Sequence, residues 1–142
     1  MAAILHEEYP VASDDYAGAG KVSSRIKELL KQMGFNPEVT RRAAIASYEG
    51  EINLIIHSDG GKVILEVTDE GDILLTFADV GPGIADVEKA MTPGYSTADA
   101  EARRLGFGAG MGLPNIKRVS DRFDIETSPA GTTLSLAFRG GI

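Results

Sequence analysis

Four glycines at alternate positions, from Gly106 to Gly112, lead directly into a segment with helical apolar spacing at Leu113, Ile116 and Val119. Pro114 fits the first turn of this predicted helix, because the first amides of a helix have no partner within it. Glycine lets backbone amides close on a ligand, and the helix N-terminus behind the loop carries partial positive charge, which suits phosphate. The stretch therefore predicts either a phosphate-binding loop or a mobile surface loop before a helix.

Length and composition narrow the class of protein. A chain of 142 residues is typical of one domain with a real core. The lack of cysteine excludes disulfides and thiol catalysis, and the two histidines are too far apart in sequence to suggest a zinc site. A net charge of −7 argues against a nucleic-acid partner. Without a membrane-length apolar run or a signal-peptide pattern, we expect a cytoplasmic protein with no membrane partner.

The N-terminal third predicts a strand and a helix. Residues 4–11 form a short edge strand, and Ser13 or Asp14 caps the helix that follows. That helix ends at Gly34. Its apolar stripe consists of Val22, Ile26, Leu29, Leu30 and Met33.

A second helix is predicted from Asn36-Pro37-Glu38, a cap followed by a first-position proline and an acid, to about His57. Its buried face is expected to contain Ile45, Ile52 and Ile56, and Gly50 is a weak point inside it.

A polar ridge runs beside this buried face. Glu49 projects at the edge of the apolar arc, and Asn53 and His57 follow at intervals of four. The ridge is either a partly buried salt bridge with a helix-end histidine, or a functional site. Since an unpaired buried carboxylate costs several kcal/mol, we favour a site formed by Glu49 and Asn53, with no role for His57.

Two strands follow, 62–67 and 72–78, joined in a hairpin. The second is almost continuously apolar, so we expect it at the centre of a sheet. It ends at Asp79, followed by Gly81 and Gly83. Asp79 is either a turn residue or a carboxylate beside which the glycines admit a flat ligand.

The C-terminal half predicts a short helix over 85–91, a lid over about 92–110, and two strands over 121–127 and 132–138. Paired strands with grouped helices indicate an α+β fold, a two-layer α/β sandwich.

Four sequence boxes in this order resemble the Bergerat ATP-binding fold of gyrase, Hsp90, histidine kinases and MutL, over about residues 13–138. Segments 93–97 and 108–118 are most similar to anti-sigma-factor-type serine/threonine kinases, in particular the stress-sigma switch kinase. The resemblance implies a mixed sheet with helices on one face. The boxes are Glu49/Asn53, Asp79/Gly81/Gly83, Gly108/Gly110/Gly112/Leu113 and Thr132/Thr133.

The resemblance implies a role for each box. Glu49 would be the general base, and Asn53 would bind Mg²⁺. Asp79 would accept a hydrogen bond from the adenine of ATP, supported by Thr132 or Thr133. Gly81 and Gly83 would lie along the adenine ring. The phosphate loop would contain Gly108, Gly110, Gly112 and Leu113.

The implied protein is a single-domain kinase, spanning residues 1–142, that phosphorylates a regulatory partner: an anti-anti-sigma-type domain or a sigma-factor regulator. The resemblance also leaves room for a homodimer. Two alternatives stay open: a non-catalytic ATP/ADP-binding anti-sigma or adaptor module, and a stand-alone histidine-kinase-like ATPase domain. Glu49 separates the first alternative from a kinase, because pure binding needs no base.

Two features depart from the family pattern. Gly50 follows the expected base where a helix former is expected. The segment 98–105 is longer than in the switch kinase and contains Arg103 and Arg104, which would reach phosphate, grip a partner or simply face solvent.

Overall fold

One sheet and three helices make up the described part of the chain. The computed structural model describes residues 3–13, 15–57, 60–80, 91 and 112–140. The elements are β1 (Ala3–Val11), a 3₁₀ turn (Tyr16–Gly18), α1 (Lys21–Gln32), α2 (Pro37–His57), β2 (Gly61–Thr68), β3 (Ile73–Asp79), α3 (Gly112–Val119), β4 (Arg122–Ser128) and β5 (Gly131–Phe138). The predicted lid, and the predicted helix over 85–91 apart from Met91, lie outside the described residues.

The five strands form one sheet in the order β1-β2-β3-β5-β4. The predicted edge strand, hairpin and central strand are confirmed as β1, β2–β3 and β3. Every described pairing is antiparallel, so the expectation of a mixed sheet is wrong. Tight turns join β2 to β3 and β4 to β5. The helices α1 and α2 return the chain to the end of the sheet that it left, where Val11 pairs with Gly61.

The helices cover one face of this sheet, as predicted. Alternate strand residues are buried on that face: Val63, Leu65, Val67, Ile73, Leu75, Phe77, Leu134, Leu136 and Phe138. The helix α2 packs on β1, β2 and β3, and both α1 and α3 pack against α2. The molecule is therefore a two-layer α+β sandwich whose central helix is α2. Among the described helices, none has the length and apolar character that a membrane span requires.

The start of α1 differs from the prediction. The helix begins at Lys21, and its N-cap residue is Gly20, which has no capping side chain. Ser13 lies well before this point, and Asp14 lies outside the described residues. The side chain of Asp15 accepts a hydrogen bond from the Gly18 amide and closes the 3₁₀ turn instead. The start of α2 is as predicted, with the Asn36 side chain accepting from the Val39 amide at 2.9 Å.

The buried face of α2 was predicted incorrectly. Ile52 is buried, but Ile45 and Ile56 are only partly buried. The buried positions are Val39, Thr40, Ala43, Ala46, Ser47, Gly50, Glu51, Ile52, Leu54 and Ile55. They surround much of the helix because α1, α3 and the sheet all contact it. A helix covered on several sides has no single apolar stripe.

Gly50 is required by close packing between α2 and β3. A Cβ atom at this position would overlap the ring of Phe77, which is 2% exposed. The glycine that weakens the helix locally thus lets the helix lie directly on the central strand.

We expect Gly50→Ala to destabilise the protein by about 1–3 kcal/mol through overpacking, although alanine is the better helix former by about 1 kcal/mol. Urea unfolding gives the difference. The double variant Gly50→Ala/Phe77→Leu should recover part of the loss by removing ring atoms. If the single variant is as stable as the wild type, Phe77 does not require glycine at position 50.

Candidate functional site

Glu49 is held between two helices. Its carboxylate is half-buried on α2 and accepts a hydrogen bond from the side chain of Asn115 in the first turn of α3. Arg118 donates to Asn115 Oδ1 at 3.1 Å, so the Asn115 amide group is turned to present its NH₂ to Glu49. Burial raises the pKa of Glu49 above its ordinary value of 4.5, and the bond from Asn115 opposes this rise. The result is an oriented carboxylate of increased basicity.

Asn53 lies one helical turn after Glu49 and is half-buried. Within the described part of the chain its amide has no hydrogen-bond partner, so its oxygen is available to a ligand. The described residues contain no cluster of three or more acidic or histidine side chains that could hold a metal by themselves. A cation here would need further oxygen ligands from a bound molecule.

Asp79 ends the central strand, and β5 fixes its side chain. Its Oδ1 atom accepts a hydrogen bond from the Thr132 amide at 2.6 Å. Gly131 allows this approach, because a Cβ atom there would overlap the Asp79 carbonyl oxygen. The Thr132 hydroxyl is 2.9 Å from the Thr127 hydroxyl, so Thr132 supports Asp79 through its backbone. Thr133, on the other face of the strand, pairs with Ala78.

The third box is only partly described. The helix α3 begins at Gly112 and contains Pro114 in its first turn, and Leu113 packs against the core. Gly81, Gly83, Gly108 and Gly110 lie outside the described residues, as do Arg103 and Arg104. The structure thus places one end of the predicted phosphate loop beside α2, which α3 contacts.

Close packing links the part of α2 that carries Glu49 to the end of β3 that carries Asp79. Gly50, next to Glu49, lies on the ring of Phe77, and Phe77 stands two residues before Asp79. The sequence boxes of Glu49 and Asp79 are therefore joined through one helix–strand contact.

Sequence reasoning missed the most deeply buried carboxylate of the described chain, Glu51, which is 2% exposed. Its two oxygens accept hydrogen bonds from the Ser23 amide at 3.2 Å and the Val22 amide at 3.3 Å. Glu51 thus caps α1, whose own N-cap Gly20 cannot. Two signals could have identified it: the uncapped start of α1, and the spacing of four that relates Glu51 to Ser47 and Ile55, both buried.

The two-layer sandwich, with Glu49 and Asn53 on its central helix and Asp79 at the end of its central strand, fits the pattern of a Bergerat-type ATP-binding domain. The chain belongs to the histidine kinase-like ATPase domain family, whose model matches residues 12–138.

The relatives of this chain include a protein kinase and anti-sigma factors. The chain is 31% identical over 104 residues to the serine/threonine-protein kinase RsbT of Bacillus subtilis, covering 71% of this chain and 72% of that protein. It is 32% identical over 139 residues to the anti-sigma F factor of Bacillus subtilis, covering 93% and 89% of the two chains. The fold is similar to a crystal structure of the RsbU and RsbW domains of Rv1364c from Mycobacterium tuberculosis, with a TM-score of 0.63, 17% identity, and coverage of 96% of this chain and 33% of that one.

We expect Glu51→Ala to destabilise the fold by about 2–4 kcal/mol, because two buried amides lose their acceptors and α1 loses its cap. Glu51→Gln keeps one acceptor oxygen and should cost about half as much. The matched control is Glu28→Ala on the exposed side of α1, which should stay within about 0.5 kcal/mol of wild type. Urea unfolding compares the three. Equal stability of the Glu51→Ala and Glu28→Ala proteins would show that the cap contributes nothing.

Proposed function

We propose that this protein is a cytoplasmic, ATP-dependent serine/threonine kinase of the anti-sigma regulatory type, which phosphorylates a regulatory partner protein. The observation that carries the proposal is the half-buried Glu49 carboxylate, oriented by Asn115 and raised in pKa, one helical turn from Asn53. The names of the relatives, a serine/threonine kinase and anti-sigma factors, support it. The proposed organisation is a single domain with a lid over about residues 92–110.

Nucleotide recognition is assigned to the end of β3. The Thr132 amide holds one oxygen of Asp79. A carboxylate accepts several hydrogen bonds, so Asp79 can also accept one from the exocyclic amino group of adenine, a donor. Gly81 and Gly83 are proposed to lie along the adenine ring. Gly112 and Leu113, at the start of α3, are proposed to enclose the phosphates of ATP together with Gly108 and Gly110 of the same sequence box.

Asn53 is proposed to hold Mg²⁺. An amide oxygen is a suitable ligand for this ion, which otherwise takes phosphate oxygens and water. When bound, Mg²⁺ would neutralise charge on the phosphates. The Asn53 amide, which has no hydrogen-bond partner among the described residues, and its place one helical turn from Glu49 fit this role.

In the proposed reaction a serine or threonine hydroxyl oxygen of the partner bonds to the γ-phosphorus of ATP, and the bond to the β–γ bridging oxygen breaks to release ADP. Glu49 takes the hydroxyl proton. A base works best when its pKa lies near the working pH, and burial moves the pKa of Glu49 in that direction. The remainder of the catalysis is positioning and charge stabilisation.

A second candidate is a non-catalytic ATP/ADP-dependent anti-sigma or adaptor protein, favoured by the anti-sigma F factors among the relatives. A homodimer is compatible with either function. The third alternative, a stand-alone histidine-kinase-like ATPase domain, lacks a suitable histidine to accept phosphate in the described chain. His6 lies in β1, not on a helix, and bonds Glu8 and Glu66 at 2.8 and 3.1 Å. His57 ends α2, one turn after Asn53 in the proposed ATP site.

We expect Asp79→Asn to weaken nucleotide binding by about 1–3 kcal/mol or more. The asparagine oxygen can keep the bond from the Thr132 amide, which leaves its NH₂ opposed to the adenine amino group. Calorimetry with ADP measures the loss, and a circular dichroism spectrum checks the fold. If the folded variant binds ADP as tightly as the wild type, Asp79 does not bind adenine.

We expect Glu49→Gln to leave ATP affinity nearly unchanged and to lower phosphate transfer by about 10²–10⁴-fold, because glutamine keeps the shape and the bond to Asn115 but cannot accept a proton. Transfer is followed with labelled ATP, Mg²⁺ and an anti-anti-sigma-type protein encoded near this gene.

The pH dependence supplies the control for this experiment. In the wild type, transfer should rise with pH through the raised pKa of Glu49, above its ordinary 4.5, because only the carboxylate can accept the proton. This rise should be absent from the residual activity of Glu49→Gln. Normal transfer by the folded variant would exclude Glu49 as the base.

A further inference from the structure

A solvent-facing groove of about 320 Å³ runs between α1 and α2. Its lining is Lys27, Arg41, Ala44, Ile45, Tyr48 and Glu49. Glu49 is the candidate base, and the other five have no place in the proposed chemistry.

The groove combines an apolar floor with two cations. Ala44 and Ile45 are half-buried, and Tyr48 is 38% exposed, one of few large apolar side chains so exposed in the described chain. Lys27 and Arg41 are exposed and have no hydrogen bond or ion pair within the described residues. This mixture of apolar and positive surface fits a ligand with apolar and negative groups.

The charge of the groove opposes that of the protein. The chain has a net charge of −7, but α1 carries four basic residues and one acidic residue. An acidic partner is repelled by most of this molecule and attracted by the α1 side of the groove, so the charges select both the partner and its place of contact.

The groove is continuous with the candidate base and is held in shape. Glu49 forms part of the lining, next to Tyr48, which lies over the start of α1 near Gly20. The bonds from Val22 and Ser23 to Glu51 fix α1 against α2 at this end. A bound segment would therefore meet a preformed surface that leads to the Glu49 carboxylate.

We propose that this groove docks the phosphoacceptor segment of the partner protein, and that this segment carries carboxylates beside a large apolar side chain. The carboxylates contact Lys27 and Arg41, the apolar side chain lies on Ala44, Ile45 and Tyr48, and the acceptor hydroxyl reaches Glu49. This inference rests on the proposed kinase function and adds the chemical class of its partner.

A binding experiment without ATP tests the groove independently of catalysis. The probes are fluorescein-labelled 12-residue peptides with one central serine, flanked either by aspartate and leucine or by lysine and leucine. Fluorescence anisotropy compares the wild type, Lys27→Glu/Arg41→Glu, and the control Arg122→Glu/Arg139→Glu. The control makes the same change of charge at exposed positions at and just beyond the β4–β5 edge of the sheet.

We expect the wild type and the control to prefer the aspartate peptide, and the groove variant to bind it at least tenfold more weakly. Binding of the aspartate peptide by the wild type should also weaken as the salt concentration is raised. Equal binding of the aspartate peptide by the groove variant and the control, or a wild type without preference for it, would overturn the proposal.

Transfer to an anti-anti-sigma-type protein encoded near this gene separates docking from catalysis. The groove variant should raise KM at least tenfold while kcat and ADP affinity stay near wild type. If transfer occurs with unchanged KM in the variant, the docking proposal fails and the kinase stands. If the wild type binds the acidic peptide through the groove but transfers no phosphate to any candidate protein, the groove stands as a docking site for an acidic and apolar segment, while the kinase fails and with it the phosphoacceptor role of that segment.

Discussion

The structure depends on a carboxylate buried between two helices. Removing Glu51 from water costs several kcal/mol unless its oxygens are hydrogen-bonded. The amides of Val22 and Ser23 supply those bonds at the positive end of the α1 dipole. The same amides would otherwise be buried without acceptors, since Gly20 offers none. The hydrogen bonds thus satisfy the buried carboxylate of Glu51 and the two buried amides at once. They also fix α1 to α2 at one point along its length.

Three consecutive residues of α2 tie it to three different elements. Glu49 bonds Asn115 of α3, Gly50 lies on Phe77 of β3, and Glu51 caps α1. Successive residues of a helix point about 100° apart, so a run of three can reach neighbours on three sides. The candidate base therefore belongs to a turn of the helix that is held on three sides. A general base must be held within a fraction of an ångström of its working position, and this packing provides such rigidity.

The elements that could be predicted from sequence are those with one simple period. The stripe of α1, the start of α2 and the hairpin of β2 and β3 follow from local patterns, and the structure has all of them. The buried face of α2 could not be predicted in this way, because its neighbours on three sides are distant in sequence. The same holds for Glu51, whose partners lie 28 and 29 residues earlier. The expectation of a mixed sheet came from the family resemblance, and every pairing among the described residues is antiparallel.

The departures from local rules in this chain concentrate around the proposed site. Gly50 weakens a helix, and Glu49 keeps a partly desolvated carboxylate whose pKa is raised. A protein that only binds nucleotide gains nothing from a partly desolvated carboxylate at Glu49, because phosphate is anionic and repels a carboxylate. A kinase does gain, since an acid destabilised in its charged form takes up a proton more readily when a hydroxyl attacks. Proton transfer by Glu49, as proposed, would account for the cost of holding the carboxylate in this environment, and this is the physical reason for proposing a kinase rather than binding alone.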